Sequence, residues 1–295
     1  MKPIRIGDIT ISKIVDKEKS PLPFNFVYPD GDWSVCEEHA DWLAPDHISL
    51  ERRMVLMNYH SYVVQTGRTN ILIEACIGND KERGASEAFH MQSSDYLLRL
   101  SEIGIKPDDI DIVMCSHMHP DHVGWNTQLK DGSWVPTFAN ARYVFARKEY
   151  EYWQDRWQEN DEDPFLTAAF FDSVLPVVEA GQADFVDTDH ELEAGIWLEP
   201  AFGHSPGHIF VNIQSGDDRA ILTGDSIHHV VQMAAPHWRP FFDQDKDMAM
   251  ATRRKLLDRV VDTPTILLPA HFCGASAGRV RSQGDAYHFD FVPSA

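Results

Sequence analysis

The residues best suited to chemistry lie together in one short segment, Ser116-His117-Met118-His119-Pro120-Asp121-His122. Three imidazoles and a carboxylate in so few residues are the donor types that bind borderline metal ions such as zinc. In an extended loop the side chains of His117 and His119 project to the same side, so both can reach one ion. The turn that follows presents Asp121 and His122 toward a neighbouring position. The segment therefore predicts metal ligands rather than a histidine-rich surface loop.

Four short apolar runs stand directly before groups of polar candidates, and such runs are typical of buried strands. The runs are Ile110–Cys115 before the histidine segment, Ile196–Leu198 before Ala201-Phe202-Gly203-His204-Ser205-Pro206-Gly207-His208, Ala220–Leu222 before Thr223-Gly224-Asp225, and Thr265–Leu268 before Pro269-Ala270-His271. Each group follows the end of its strand. This pattern predicts a scaffold that places its chemistry at one edge of its sheets.

In this order, the motifs resemble the signature of the metallo-β-lactamase superfamily. The matching segments are His117-x-His119-x-Asp121-His122, Gly203-His204-Ser205-Pro206-Gly207-His208, Gly224-Asp225 and Pro269-Ala270-His271. Any one of them alone would be weak evidence, whereas the ordered set is specific. The resemblance implies an α+β fold, an αββα sandwich in which two mixed β-sheets pack face to face with helices outside. The chain is most similar to the branch that holds N-acyl homoserine lactonases and methyl parathion hydrolase.

The resemblance also implies a ligand set, in which one metal is held by His117, His119 and His204, a second by Asp121, His122 and His271, and both by Asp225. Such a nitrogen-rich set suits two Zn²⁺ per chain, with Mn, Fe or Co as substitutes. A hydroxide shared by the two ions is the expected nucleophile, because coordination lowers the pKa of water toward neutrality. Asp121 is the expected proton donor to the leaving group.

His228 lies three residues past Asp225, where the acyl homoserine lactonases carry a tyrosine that hydrogen-bonds substrate. Two interpretations stay open: the imidazole donates to the substrate carbonyl, or it orients a metal ligand. In the family pattern His208 is structural, so we do not expect a ligand there. The spacing of the remaining histidines predicts no role, and these are His39, His47, His60, His90, His190, His229, His237 and His288.

Two segments depart from the lactonase pattern and leave the substrate open. Glu74-Ala75-Cys76 stands where an Asp-Thr-Gly turn is common in the family. Residues 17–58 form an aromatic-rich insertion broken by prolines, with Phe24, Trp33 and Trp42 among its rings. A loop packed on the core by its aromatic side chains is one interpretation of this insertion. A flap over the active site or a dimer contact is the other, since long connections are often functional.

Composition excludes several classes of protein. A formal charge of −20 over 295 residues argues against nucleic-acid binding, which depends on a surplus of Lys and Arg. No apolar run approaches the roughly 20 residues that a membrane span needs, and residues 1–8 lack the apolar core of a signal peptide. The four cysteines form no CxxC pair, which favours reduced thiols and a cytoplasmic location. No linker composition separates the halves, so we expect one domain over residues 1–295.

Secondary structure is predicted from apolar periodicity and turn residues. Besides the four runs above, the predicted strands are Ile4–Ile6, Ile9–Val15, a hairpin of His60–Val64 and Asn70–Glu74, Ala141–Phe145, Phe185–Val186 and Ile209–Ile213. One predicted helix is capped by Ser93 or Ser94 and runs through Ile103, and two others run over Lys148–Glu159 and over about Asp247–Val261.

These features together predict a dinuclear metal-dependent hydrolase acting on a lactone or a small carboxylic ester. One alternative is a phosphotriester or aryl ester hydrolase, and others are a glyoxalase-type thioester hydrolase and a non-catalytic metal-binding member. The expected partner is a small-molecule substrate, without nucleic acid or membrane. The resemblance makes a homodimer plausible.

Overall fold

The computed structural model describes residues 2–84, 86–158 and 164–292. Contacts within the chain group it into two compact units. The first unit comprises Lys2–Lys17 and Tyr59–His190, and the second comprises Glu18–Asn58 and Glu191–Ala295. Each unit is therefore built from segments that are distant in sequence. The expectation of a single domain over residues 1–295 stays a prediction.

The described residues form seventeen strands and nine α-helices. The strands are β1 Ile4–Ile6, β2 Ile9–Pro23, β3 Ile48–Ser49, β4 Met54–Gln65, β5 Asn70–Ile73, β6 Ile112–Met114, β7 Thr127–Lys130, β8 Ser133–Pro136, β9 Arg142–Ala146, β10 Ala183–Val186, β11 Glu191–Glu193, β12 Ile196–Pro200, β13 Ile209–Ser215, β14 Asp218–Gly224, β15 Ile266–Pro269, β16 Gly278–Gln283 and β17 Ala286–Phe291. The helices are α1 Phe24–Val27, α2 Trp33–Glu38, α3 Ala40–Leu43, α4 Tyr96–Glu102, α5 Pro120–Val123, α6 Arg147–Gln158, α7 Pro164–Ala169, α8 Leu175–Glu179 and α9 Lys246–Val260.

The first unit contains the parallel strands of a mixed sheet with the order β1-β2-β4-β5-β6-β9-β10. Strands β5, β6, β9 and β10 are parallel, while β4 pairs with β5 in the antiparallel sense. Such strands are buried on both faces and read as continuous apolar runs. This explains why Ile112–Met114 is entirely buried. Its carboxyl end delivers the chain to the histidine segment.

The second unit contains a seven-stranded sheet with the order β11-β12-β13-β14-β15-β16-β17. Strands β14 and β15 are parallel, and the other neighbouring pairs are antiparallel. Since β12 and β14 both run antiparallel to β13, the carboxyl ends of β12, β14 and β15 meet at one edge. The segments that follow these three ends carry His204, Asp225 and His271.

Most of the sequence-predicted elements are confirmed within one or two residues. Strand β2 is longer than expected and reaches Pro23, and β4 begins six residues before the predicted His60. Helix α4 begins at Tyr96, and its N-cap is Asp95, not Ser93 or Ser94. The prediction of a serine cap was wrong because the Ser94 hydroxyl donates to Asp16 instead. The predicted end of α6, Glu159, lies outside the described residues.

The aromatic insertion is packed into the second unit by short helices. Phe24, Tyr28 and Trp33 are buried in one hydrophobic cluster, in which the Phe24 ring contacts those of Tyr28, Trp33 and Trp238. The expectation of packing through aromatic side chains is confirmed for these residues. The alternative of a flap or a dimer contact stays a prediction. Among the described residues, no helix combines the length and apolarity needed to cross a bilayer.

Candidate metal centre

The histidine segment brings three imidazoles together in the first unit. The ring centroid of His117 lies 4.5 Å from that of His119 and 4.0 Å from that of His122. His117 and His122 are buried, His119 is half-buried, and Asp121 keeps partial exposure on α5. The Nε2 atom of His122 lies 3.9 Å from Oδ2 of Asp121. The four predicted ligands of this segment therefore converge.

Glu74 supports this segment from β5, one residue past the end of the strand. Its Oε2 lies 3.0 Å from Nδ1 of His122, and its carboxylate also accepts the backbone N–H of Ser116. The residue is buried and adopts a positive φ of 67°. A carboxylate on Nδ1 fixes the tautomer and leaves Nε2 as the basic nitrogen. Glu74, seen in the sequence only as a departure from the family pattern, orients a candidate ligand.

A second buried carboxylate, Glu149, holds the loop in the first unit. Its Oε1 accepts hydrogen bonds from the backbone N–H of Met118 at 3.1 Å and from Nε1 of Trp153 at 2.8 Å. The Trp153 ring in turn contacts His119, at a centroid distance of 5.7 Å. Trp153 itself is buried. Glu149 was missed, because nothing in its spacing distinguishes it from a surface residue of a helix.

In the second unit, Asp225 lies at the centre of three imidazoles. Its carboxylate is 2.9 Å from Nε2 of His271, 3.4 Å from Nε2 of His228 and 3.5 Å from Nε2 of His204. All four side chains are at least nine-tenths buried. The three predicted ligands of this unit therefore converge, together with His228.

Two of these imidazoles have their other ring nitrogen engaged by an acceptor. The Nδ1 atom of His204 lies 2.9 Å from Oδ1 of Asp243, and that of His271 lies 2.9 Å from the carbonyl oxygen of Asn58. A carbonyl and an ionised carboxylate only accept, so each Nδ1 carries the proton. Asp243 and Asn58 were not identified from the sequence, because each acts from a segment far from its histidine.

This arrangement fits a bound cation. In the neutral form, His204 and His271 direct the lone pairs of Nε2 at the Asp225 carboxylate, and acceptors that face one another in a buried site repel. A divalent ion between them replaces that repulsion with coordination bonds. Imidazole with its second nitrogen bound to a carboxylate or carbonyl is the usual form of a metal ligand. The donor set is that of a borderline metal such as zinc.

Gly203 explains how the chain brings His204 close to Asp243. It has a φ of +129°, and an added Cβ would lie only 2.2 Å from the backbone nitrogen of Ala249 in α9. The amide groups of Gln244 and Asp245 donate to the carbonyls of His204 and Gly203. Only glycine allows this close approach, so the loop carrying His204 is fixed against the beginning of α9.

His208 has the structural role that the family pattern implies. Its Nδ1 lies 3.1 Å from the carbonyl oxygen of Ala201, and its Nε2 accepts the backbone N–H of Asp225 at 3.0 Å. The ring thus ties the β12–β13 loop to the residue after β14. This hydrogen bond fixes the backbone of Asp225 from a neighbouring strand.

His228 faces Asp225 without a hydrogen bond on its ring within the described residues. Its backbone N–H donates to Oε1 of Gln232 at 2.8 Å, and Arg253 donates to the carbonyl of Ser226 at 3.2 Å, so the loop is held from both sides. Burial, chiefly, lowers the pKa of His228 well below its ordinary value. The ring is therefore neutral near pH 7 and carries one N–H that can donate.

The remaining candidates of the sequence do not join these clusters. His229 caps a 3₁₀ turn by accepting the N–H of Val231, and its Nε2 lies 2.8 Å from the carbonyl oxygen of His47. Cys273 donates to the carbonyl of Leu56 and is buried. Burial raises the pKa of the Cys115 thiol well above its ordinary value, which makes it unreactive. All four cysteines are free thiols.

Comparison with known proteins agrees with the motifs. The profile of the metallo-beta-lactamase superfamily matches residues 55–271. The chain belongs to this superfamily. The α+β class and the metallo-β-lactamase fold expected from the sequence are confirmed, since the described sheets are mixed and carry helices.

Individual relatives are similar at low identity. An N-acyl homoserine lactonase from Bacillus cereus is 25% identical over 172 residues, which cover 58% of this chain and 60% of that protein. The chain thus spans about three-fifths of the length of the curated relatives it matches. Hydrolase AbOPH of the beta lactamase superfamily has a TM-score of 0.83 at 20% identity, covering 99% of this chain and 97% of that one. AidC, a dizinc quorum-quenching lactonase in complex with a product, has a TM-score of 0.75 at 21% identity, covering 100% and 97%.

Proposed function

We propose that this chain is a dinuclear metal-dependent hydrolase that opens a lactone or cleaves a small carboxylic ester. The observation that carries the proposal is the arrangement around Asp225, where the Nε2 atoms of His204 and His271 face one carboxylate while their Nδ1 atoms donate elsewhere. Imidazoles prepared in this way are suited to binding metal. Membership of the superfamily supports the same conclusion.

The proposed assignment of ligands is the one that the family resemblance implies. His117, His119 and His204 would hold one ion, Asp121, His122 and His271 would hold the other, and Asp225 would serve both. The set offers imidazole nitrogens and two carboxylates, so zinc is the proposed ion, with Mn, Fe or Co as substitutes.

When bound, the two ions supply a water activated at neutral pH and stabilise negative charge on the reacting oxygens. Every other step falls to side chains of this chain. Asp121, partly exposed on α5, is placed to carry a proton to the departing alkoxide. His228 remains neutral through burial and donates its N–H to the substrate carbonyl. The His208 ring accepts the backbone N–H of Asp225 and so fixes the backbone from which this carboxylate projects.

Small carboxylic substrates are favoured over polyanionic ones by several observations. The charge of −20 disfavours polyanionic substrates. The curated relatives bear the name N-acyl homoserine lactonase, and the AidC structure is a complex with a product, N-hexanoyl-L-homoserine. We also propose a homodimer, on the basis of the family resemblance, and a cytoplasmic location, on the basis of the four free thiols.

The test combines metal analysis with a substrate panel. Purified zinc-loaded protein is offered acyl homoserine lactones, γ- and δ-lactones, aryl esters and a dimethyl phosphotriester, and acid release is followed in a weakly buffered indicator. We expect turnover of lactones, with two metal ions bound per chain. Preference for the phosphotriester or the aryl esters would replace the lactonase proposal with the organophosphate alternative. Silence across the panel, with two metals bound, would overturn the substrate class.

Variants test the site itself. Asp225→Ala and His204→Ala should abolish turnover and lower the bound metal, because each removes a proposed ligand. His237→Ala, at an exposed histidine of the same unit, is the control and should retain both. Full activity in either ligand variant would contradict the dinuclear site.

A further inference from the structure

A cavity of about 390 Å³ lies in the second unit, between the seven-stranded sheet and the end of α9. Its volume is within the roughly 300–1,000 Å³ typical of ligand-binding pockets. Side chains from several segments line it, among them Trp197, Asn212, Arg219, Arg259 and Thr265. None of these residues belongs to the candidate metal centre, so the cavity is a separate feature of the chain.

The floor of the cavity is formed by neighbouring strands. Trp197 of β12 pairs with Asn212 of β13, which pairs in turn with Ile221 of β14. Directly paired residues of antiparallel strands project to the same face of a sheet, so these three side chains share one face. Ile221 is buried in the same hydrophobic cluster as Leu257 and Val260 of α9. The helix therefore packs on this face, and the cavity lies where the helix ends.

The cavity lies at the opposite end of these strands from the proposed metal ligands. Arg219 is the second residue of β14, whereas Asp225 follows the last residue of the same strand. Six residues of extended strand span about 20 Å. Trp197 likewise lies near the start of β12, and Thr265 directly precedes β15, while the proposed ligands follow the ends of both strands. A ligand in the cavity is therefore remote from the candidate site.

Arg219 offers the cavity a guanidinium without a counter-ion. Its side chain is exposed, and within residues 2–84, 86–158 and 164–292 it has neither a hydrogen bond nor an ion pair, even with Asp217, which also lines the cavity. In a chain whose acidic residues outnumber the basic ones by 46 to 26, an arginine without a counter-ion departs from the overall balance. A guanidinium binds a carboxylate through two parallel hydrogen bonds, so an organic anion is the ligand that it suits.

Arg259, the second arginine of the cavity, is paired and forms an ordered wall. Its Nη1 lies 2.6 Å from Oε1 of Glu199, and Nδ2 of Asn212 donates to the other oxygen of that carboxylate at 3.0 Å. Asn212 is only 6% exposed. These bonds balance the charge of Arg259 and orient the Asn212 carboxamide, so this part of the lining is ordered before a ligand binds. The guanidinium of Arg219 is thus left for the ligand.

Trp197 offers the cavity a flat apolar surface. Its indole is half-buried and contacts no other aromatic ring in the described part of the chain. Because β13 separates β12 from β14, Trp197 and Arg219 lie about 10 Å apart across the sheet. Planar rings stack on indole, and a carboxylate on a short side chain of such a ring reaches an arginine at that separation. The two side chains together are suited to one aromatic acid.

We propose that this cavity binds a small aromatic carboxylate, with its ring on Trp197 and its carboxylate on Arg219. A single ring or two fused rings with a short acidic side chain is the size that fits. The inference does not rest on the proposed function, because the cavity and the metal centre share no residue. A neutral or cationic ligand of the same shape lacks the ion pair with Arg219, so it should bind more weakly.

Calorimetry on the metal-loaded protein tests the inference with three probes that share an indole ring and differ in charge. Indole-3-acetate is an anion, indole-3-acetamide is neutral and tryptamine is a cation. We expect indole-3-acetate to bind roughly tenfold more tightly than the amide, which is the contribution of a hydrogen bond between charged groups. Tryptamine should bind more weakly still.

Three variants locate the bound probe, and far-UV dichroism checks that each is folded. Arg219→Gln should remove the preference for indole-3-acetate over the amide. Trp197→Leu should weaken the binding of both, because the ring loses its stacking partner. Arg52→Gln, at an exposed arginine of the same unit outside the cavity, should keep the wild-type affinities.

Three outcomes would overturn the inference. The first is a wild-type protein that does not bind indole-3-acetate, and the second is a wild-type protein that binds the three probes equally well. The third concerns the metal centre, since a carboxylate is also a metal ligand. Binding that survives in Arg219→Gln but is lost in His204→Ala would place the probe at that centre instead of in the cavity.

Discussion

The Nδ1 atom of His204 and the Oδ1 atom of Asp243 are 2.9 Å apart, although 39 residues separate them in sequence. Both side chains are buried, so the Asp243 carboxylate has lost its hydration, and its hydrogen bond with the imidazole compensates for that loss. In the first unit, Glu74 stands in the same relation to His122. In two of the proposed ligands, His204 and His122, Nδ1 is thus hydrogen-bonded to a buried carboxylate. Such a carboxylate raises the basicity of Nε2, the nitrogen proposed to bind metal.

Replacement of Asp243 by asparagine should weaken metal binding without unfolding the protein. The amide keeps the size and an acceptor oxygen for His204, but it removes the negative charge that makes the imidazole basic. We expect a loss of roughly 10- to 100-fold in metal affinity, measured by zinc competition with a chromophoric chelator. Asp247→Asn, at an exposed carboxylate in the first turn of α9, should leave the affinity unchanged. Equal affinities in both variants would remove Asp243 from the metal site.

Replacement of His228 by phenylalanine separates its two possible roles. The phenyl ring preserves the ring contacts with Phe242 and His271 but has no N–H to donate. If His228 donates to substrate, kcat should fall on the order of 10²-fold, the usual cost of one such donor, with bound metal unchanged. Because burial keeps the pKa of His228 well below its ordinary value, the shape of the profile of kcat against pH from 6 to 8 should not change. An unchanged kcat would return His228 to the role of orienting a ligand.

The sequence predicted the parts of the molecule that local rules govern. Apolar runs and turn residues located strands such as Ile112–Met114 and helix α9, because a strand buried on both faces and an amphipathic helix each leave a periodic pattern. Ligands that directly follow strand ends were found for the same reason. Packing seldom requires polar residues just past the end of a buried strand, so such residues can be recognised as functional candidates.

The residues that hold the proposed ligands in place through hydrogen bonds could not be predicted in this way. Glu74, Glu149 and Asp243 act through contacts with segments far along the chain, and an isolated carboxylate has no spacing that reveals its partner. The short strands β7, β11, β16 and β17 were also missed. Most of their residues are exposed or only partly buried, and those of β7, β11 and β16 are mainly polar, so periodicity is weak there and only pairing in the fold defines these strands.

The first unit contains a buried ion pair, and replacing its acidic residue, Asp172, should strongly destabilise the fold. Asp172 accepts two hydrogen bonds from Arg83, at 2.6 and 2.9 Å, and lies 3.6 Å from Nζ of Lys81. Asp172→Asn leaves the guanidinium buried without a counter-charge, and such a loss costs about 3–5 kcal/mol. Burial, chiefly, lowers the pKa of Lys81 to about 7, so this amine can shed its proton, whereas arginine cannot.

Urea unfolding measures this cost, with Asp184→Asn as the matched control. Asp184 pairs with Arg142 at the surface, where both side chains are largely exposed. Removing such a pair should change the free energy of unfolding by at most about 0.5 kcal/mol. Similar losses in the two variants would show that the buried pair adds nothing to stability beyond a surface pair.

His47 should make the protein less stable as the pH falls below neutrality. Burial, chiefly, lowers its pKa from 6.5 to about 4, and the ring stacks on Phe291 at 5.1 Å. Between these two pKa values the unfolded chain binds a proton at this position and the folded chain does not. The free energy of unfolding therefore falls as the pH drops from about 6.5 toward 4, by up to about 1.4 kcal/mol per pH unit for one group.

Urea unfolding at pH 7, 6 and 5 tests this dependence in wild type and in His47→Phe. The phenyl ring keeps the stacking on Phe291 but cannot take up a proton, so the variant should lose less stability on acidification. Protonation of the proposed metal ligands affects both proteins equally and cancels in the difference. His190→Gln, at an exposed histidine, should follow wild type. Parallel curves for wild type and His47→Phe would show that His47 binds its proton equally well in the folded and unfolded chain.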